Sequence, residues 1–157
     1  MIAAPKFLVT LLATGWLATT LAATNGDIDR GVLAYKNGDY DEAAEHYEAA
    51  EQTLGERPEL HYNRGLVLLA QEDREAARKA FEHGTESDEA QVRASAEYEI
   101  GNLDFDAEAW DGAIQHYIAC LKEDPEHHNA KWNLELALER KRQQEEEQEQ
   151  EQEQEKN

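Results

Sequence analysis

Three glycines, Gly31, Gly65 and Gly101, head three stretches that can be laid over one another. Twelve residues after each stands an alanine (Ala43, Ala77, Ala113), four further on an aromatic (Tyr47, Phe81, Tyr117), and three beyond that a small residue (Ala50, Gly84, Cys120). The first two glycines are 34 residues apart and the next two 36. Self-similarity at a fixed period of this size marks a repeat architecture, in which each unit buries its apolar face only by stacking on a neighbour. Alanine, aromatic and small residue at i, i+4 and i+7 share one helical face, as in "AAEHYEAA" and "AIQHYIAC". A glycine on one helix and an alanine on the next let the two approach, and the aromatic fills the space between them. Turn residues separate the helices of a unit: Asn37, Gly38 and Asp39 in "KNGDYDEA", with "DAEAWDGA" a plainer version. Asp124-Pro125 ends the second helix of the third block.

These residues resemble the tetratricopeptide repeat, a 34-residue helix-turn-helix unit with a signature of glycine, aromatic, alanine, aromatic, small residue and proline. Block three carries Gly101, Trp110, Ala113, Tyr117, Cys120 in the usual alanine place, and Pro125. Block one has Gly31, Gly38, Tyr40, Ala43, Tyr47 and Ala50, with its proline displaced to Pro58. Block two departs most, with Arg74 for the turn aromatic and Gly84 for the late alanine. The resemblance covers about residues 26–142. It implies an all-α, right-handed solenoid of about three helical hairpins plus a C-terminal capping helix.

"HNAKWNLELALER" falls in register as the first helix of a fourth block with no second helix, so residues 128–142 are expected to cap the stack. Trp132, Leu134 and Leu138 are predicted to pack on the third hairpin, with Glu135, Glu139, Arg140 and Arg142 outside. From Gln143 to Asn157 thirteen of fifteen residues are Glu or Gln and none is apolar. Both residue types are good helix formers, so the helix is expected to run a few turns into this segment, which with nothing to pack on is read as a disordered or fraying solvated tail; the alternative is an acidic docking tail for a basic partner.

Before the repeats, Met1–Lys6 carries one positive charge, Phe7–Ala22 is largely apolar, and Leu21-Ala22-Ala23 offers small residues ahead of Thr24. Residues 1–23 therefore read as a signal peptide, or as an uncleaved N-terminal anchor. Sixteen moderately apolar residues fall short of the roughly 20 that a spanning helix needs, which favours cleavage. The domain is set at 24–142, in a periplasmic or otherwise exported protein. Cys120 is the only cysteine, so stability must come from packing rather than disulfides.

The formal net charge of −20 disfavours nucleic acid, and lipid binding other than by an uncleaved anchor, because both surfaces are anionic. No phosphate loop, nucleophile elbow or HExxH is present, and Cys120 sits at a packing position, so no enzyme activity, cofactor or catalytic residue is predicted. His46 and His116 are copies of one surface position, and His127 and His128 fall in a connection, so no metal site is expected either.

In the resembled fold the first helices line a concave groove that holds peptides. One column there is aromatic, with Tyr62, Tyr98 and Trp132 three residues before the glycine or its counterpart. Tyr62, Asn63, Tyr98, Asn102, Phe105, Trp132 and Asn133 are the candidate partner-binding residues. Aromatics offer contact area at low entropic cost, and amides can hold an extended backbone. The alternative is that the rings only pack against a neighbouring hairpin. Some tetratricopeptide proteins clamp a carboxylate with Lys and Arg at groove positions held here by Asn25, Asp29, Asn63, Ser95, Glu99 and Asn102, so a carboxylate clamp is not expected.

"AEYEIGNLDFDAEAWDGAIQHYIACLKEDPEHHNAKWNLELALER", followed by Gln-rich sequence, is similar to the envelope tetratricopeptide proteins of the bacterial Bat (Bacteroides aerotolerance) group. That resemblance implies an envelope adaptor working with von Willebrand A domain proteins. A structural oligomerisation or assembly module, for a pilus or secretion complex, is the alternative. Pairing of residues 132–152 as a coiled coil would then be needed, although no apolar a and d positions follow Leu138.

Overall fold

The computed structural model describes residues 26–155, which form helices and connections without a strand. The expected signal or anchor over residues 1–23, and Asn25, lie outside the described residues. Within them no helix is long and apolar enough to cross a membrane. The helices are α1 (26–37), α2 (Tyr40–Leu54), α3 (Pro58–Ala70), α4 (Arg74–Gly84), α5 (Ala90–Asp106), α6 (Trp110–Glu123) and α7 (His128–Glu155). The expected all-α stack of three hairpins and a last single helix is present.

Each hairpin turns in the same way. Gly38, Glu72 and Glu108 hold φ of +85°, +66° and +56°, a left-handed conformation natural for glycine and costly for glutamate. The following N–H groups of Asp39, Asp73 and Ala109 donate to the carbonyls of Ala34, Leu68 and Asp104, each at 2.9 Å. The tight turn thus recurs at all three places, although only one keeps the glycine that would have announced it. Elsewhere the ends are set locally: Pro58 opens α3, the Asp73 carboxylate accepts from Ala76 N–H at 3.1 Å, and the His127 ring nitrogen Nδ1 accepts from Ala130 N–H at 3.1 Å.

The repeated glycines are where the hairpins close. A Cβ on Gly31, Gly65 or Gly101 would come within 2.6–2.7 Å of the ring of Tyr47, Phe81 or Tyr117 on the facing helix. Ala43, Ala77 and Ala113 are fully buried beside those rings. The late small residue lies where its own hairpin meets the next: a Cβ on Gly84 would meet Ala96 of α5 at 3.1 Å and Tyr62 of its own hairpin at 3.3 Å. Three apolar clusters result, each joining one hairpin to the helix after it. This nearest-neighbour layout is how a solenoid gains stability.

The last helix departs from expectation on one face. Ala130 and Ala137 are fully buried, and Leu134 packs with them against Ala113, Tyr117 and Cys120. Trp132 and Leu138, predicted to pack there too, are 68% and 49% exposed. The register explains the difference. Tyr62 and Tyr98 stand in the same column as Trp132 and lie on the second-helix rings of their own hairpins, Phe81 at 5.8 Å and Tyr117 at 6.1 Å. The fourth unit has no second helix, so Trp132 has no such ring to meet.

The Glu/Gln segment expected as a disordered or fraying tail from residue 143 continues α7 without a break to Glu155, almost wholly exposed. Both residue types are good helix formers, and Lys141–Glu145 (3.8 Å) and Arg142–Glu146 (3.9 Å) support the junction at i, i+4 spacing. Residue 142 is therefore where packing stops, not where the helix does.

Candidate partner-binding groove

The side chains between α5, α6 and α7 are organised by Asn102. Its Oδ1 accepts from the Tyr117 hydroxyl and from Asn133 Nδ2, each at 3.0 Å, and its Nδ2 donates to Glu99 Oε2 at 3.3 Å. Asn133 Nδ2 also approaches the Tyr98 hydroxyl at 3.4 Å. The Tyr98 ring lies 4.6 Å from the ring of His127. Tyr98, Asn102 and Asn133 are thus brought together, but as a stitch between neighbouring helices whose polar groups are largely used internally.

The other expected residues are spread along the stack. Tyr62 and Asn63 lie on α3, where the Tyr62 ring is tilted against Phe81 of α4. Phe105, at the far end of α5, meets Trp110 edge-on at 5.1 Å. This pair borders an open cleft of about 450 Å3, which Asp106, Arg140, Gln143 and Glu147 also line. Trp132 stands apart on the exposed side of α7.

The residue that links the first helices electrostatically is Glu99. Burial pushes its carboxyl above the ordinary range, and the Asn102 amide and the His127 ring only partly offset this. Burial also raises the phenols of Tyr35 on α1, Tyr62 on α3 and Tyr117 on α6, and the Glu99 carboxylate adds to the shift in each. The sequence showed Glu99 at a clamp position, where it told against binding an anion. The same position read for the opposite charge points to a cation.

Two neighbouring features are structural. His46 and His116 are not plain surface residues: they reach the carboxylates of Asp27 (3.7 Å) and Glu97 (2.7 Å), each four residues before a repeat glycine. Asp104, nearly buried, accepts from Arg78 on α4 and lies 3.6 Å from His116 Nε2, so it ties the second hairpin to the third. Among the described residues no cluster of three or more His, Cys, Asp or Glu is arranged to hold a metal ion. Cys120 is buried at its packing position, and burial, with the charges of Asp124 and Glu97, pushes its thiol up to about 12.

Residues 28–91, the first two hairpins, match the family model of the tetratricopeptide repeat. Among solved structures, the Sgt2 tetratricopeptide repeat domain from Aspergillus fumigatus superposes with a TM-score of 0.67 at 22% identity, covering 81% of this chain and 82% of that one. The chain folds as a tetratricopeptide repeat solenoid. No curated protein matches it. The solenoid is the architecture of a protein-interaction scaffold.

Proposed function

We propose that the chain is a non-enzymatic adaptor whose concave groove holds an extended segment of a partner protein, with a Lys or Arg of that segment seated at Glu99. The observation that carries this reading is Glu99, half-buried on the α5 first helix, where the Asn102 amide donates to its Oε2 at 3.3 Å and no Lys or Arg pairs with it among the described residues, while burial holds its carboxyl above the ordinary range. A desolvated carboxylate is disfavoured until a cation joins it, and tyrosine faces favour the same ligand charge. The adaptor acts in the bacterial cell envelope, on the strength of the export-like run over Phe7–Ala22. Its partners are von Willebrand A domain proteins of a Bat-type system, on the strength of the "AKWNLELALER" helix and the Gln-rich run after it.

A photo-crosslinking residue placed at Asn63 in the groove, and separately at exposed Glu45 on α2, tests the reading in cells. Crosslinks to an envelope protein from Asn63 that disappear with Glu99→Lys are expected. Crosslinks from Glu45 alone would move the site to the convex face. Capture of a cytoplasmic protein would end the envelope assignment.

A further inference from the structure

The outer face of α7 is a half-finished interface. Trp132 and Leu138 are exposed on it, with Glu135 between them. Glu135 occupies the register of Gly31, Gly65 and Gly101, the position on which a second helix seats its ring in each complete hairpin. A glutamate closes that seat to a ring and offers a carboxylate instead. Further along the same face come Glu146 and Glu149, and from Gln143 to Glu155 the helix carries no Lys or Arg at all. Of the four cations nearer its start, Lys131 pairs with Glu126 at 3.7 Å, Arg140 donates to Gln143 at 3.2 Å, Lys141 pairs with Asp111 at 2.6 Å, and Arg142 pairs with Glu139 at 2.6 Å and more loosely with Glu146 at 3.9 Å, an exposed contact that a partner's cation can replace.

We infer that this face docks a basic amphipathic helix of a partner protein, which takes the place of the missing second helix of the fourth hairpin. The hairpin geometry sets its direction, antiparallel to α7. Its C-terminal half then lays apolar residues on Trp132 and Leu138, and its N-terminal half sets Lys or Arg over Glu146 and Glu149, with one cation reaching Glu135. Apolar anchors at i, i+3, i+4 and i+7 are how a helix reads such a surface. A second copy of this chain fits poorly, because it would bring a net charge of −20 and the same glutamates to the face. This surface is separate from the groove, so it stands or falls independently of Glu99.

The probe is a synthetic peptide of about 18 residues, five helical turns, with Lys on one face of its first half and Leu on the same face of its second. It is titrated into the full chain while tryptophan emission is followed. Saturable binding with a blue shift is expected, and a peptide with the two halves exchanged should bind more weakly. Trp132→Ala and Leu138→Ala should each weaken binding about tenfold, as hot-spot truncations do, with the melting temperature unchanged because both side chains are exposed. Glu146→Lys with Glu149→Lys should weaken it similarly, and Glu99→Gln should leave it alone. Binding that ignores Trp132→Ala and Leu138→Ala, or no binding, would overturn the inference. So would a dimeric mass in light scattering that Trp132→Ala returns to the monomer, which would give the face to a second copy. Binding that appears only after removal of residues 1–25 would give it to the chain's own N-terminal segment.

Discussion

Gly101→Ala should destabilise the solenoid, although alanine is the better helix former. Gly101 lies inside α5, where propensity alone would favour alanine by about 1 kcal/mol. Against that gain, the new Cβ would stand 2.6 Å from Cε1 and 2.7 Å from Cδ1 of Tyr117. Ordinary contact requires the ring to retreat by roughly 1 Å in a close-packed interior. Tyr117 is fully buried and its hydroxyl is held by Asn102, so it cannot swing aside freely. Overpacking of this kind costs about 1–3 kcal/mol, and a disturbed hydroxyl hydrogen bond about 1 kcal/mol more. The net loss is about 1–3 kcal/mol, a fall in melting temperature of roughly 4 °C per kcal/mol. Gly65→Ala meets Phe81 at the same 2.6 Å but has no hydroxyl to disturb, so its loss should be smaller by about 1 kcal/mol. Thermal and urea unfolding followed by far-UV circular dichroism measures both. Pairing Gly101→Ala with Tyr117→Leu should show the clash relieved, with a coupling of at least about 1 kcal/mol. A rise in melting temperature for Gly101→Ala alone would refute the tight seat, because propensity would then be the whole effect.

Three further outcomes follow from the same contacts. The folded state holds the Glu99 proton more tightly than the unfolded state does, so this group's contribution to stability is lost as pH rises through its raised folded value. Glu99→Gln should therefore raise the melting temperature at about pH 7 and matter least near pH 4; a gain only in acid would reverse the sign of the argument. Glu108→Gly should stabilise by about 0.5–1 kcal/mol in urea unfolding, since φ of +56° suits glycine. Arg78→Met, which leaves nearly buried Asp104 without its guanidinium partner, should cost about 2 kcal/mol in the same assay, and an unchanged midpoint would show that the pair is dispensable.

The fold was legible because its determinants are side-chain sizes at fixed offsets. Gly101, Ala113, Tyr117 and Cys120 could each be placed from spacing alone, and each is where the packing needs it. The groove was less legible because polar side chains have several partners to choose from. Nothing in the spelling of Asn102 and Asn133 says that they bond to each other and to Tyr117 rather than to a ligand. Glu99 could have been found by reading the clamp positions for either sign of charge. The exposure of Trp132 was also within reach of the sequence: its column is defined by contact with a second helix, and the fourth unit lacks one. The long helical run to Glu155 follows from the helix preference of Glu and Gln, against their lack of anything to pack on.

The register of α7 on the third hairpin is the claim on which the cap, the open face and the end of the stack all rest, and two adjacent residues report it directly. In a Cys120→Ala background, Ala137→Cys and Leu138→Cys are labelled with a thiol reagent, and each rate is compared with that of the denatured chain. Fully buried position 137 should be slowed by about a hundredfold or more, and half-exposed position 138 should react nearly as fast as in the denatured chain. Equal rates, or protection at 138 with free reaction at 137, would contradict the packing of this helix.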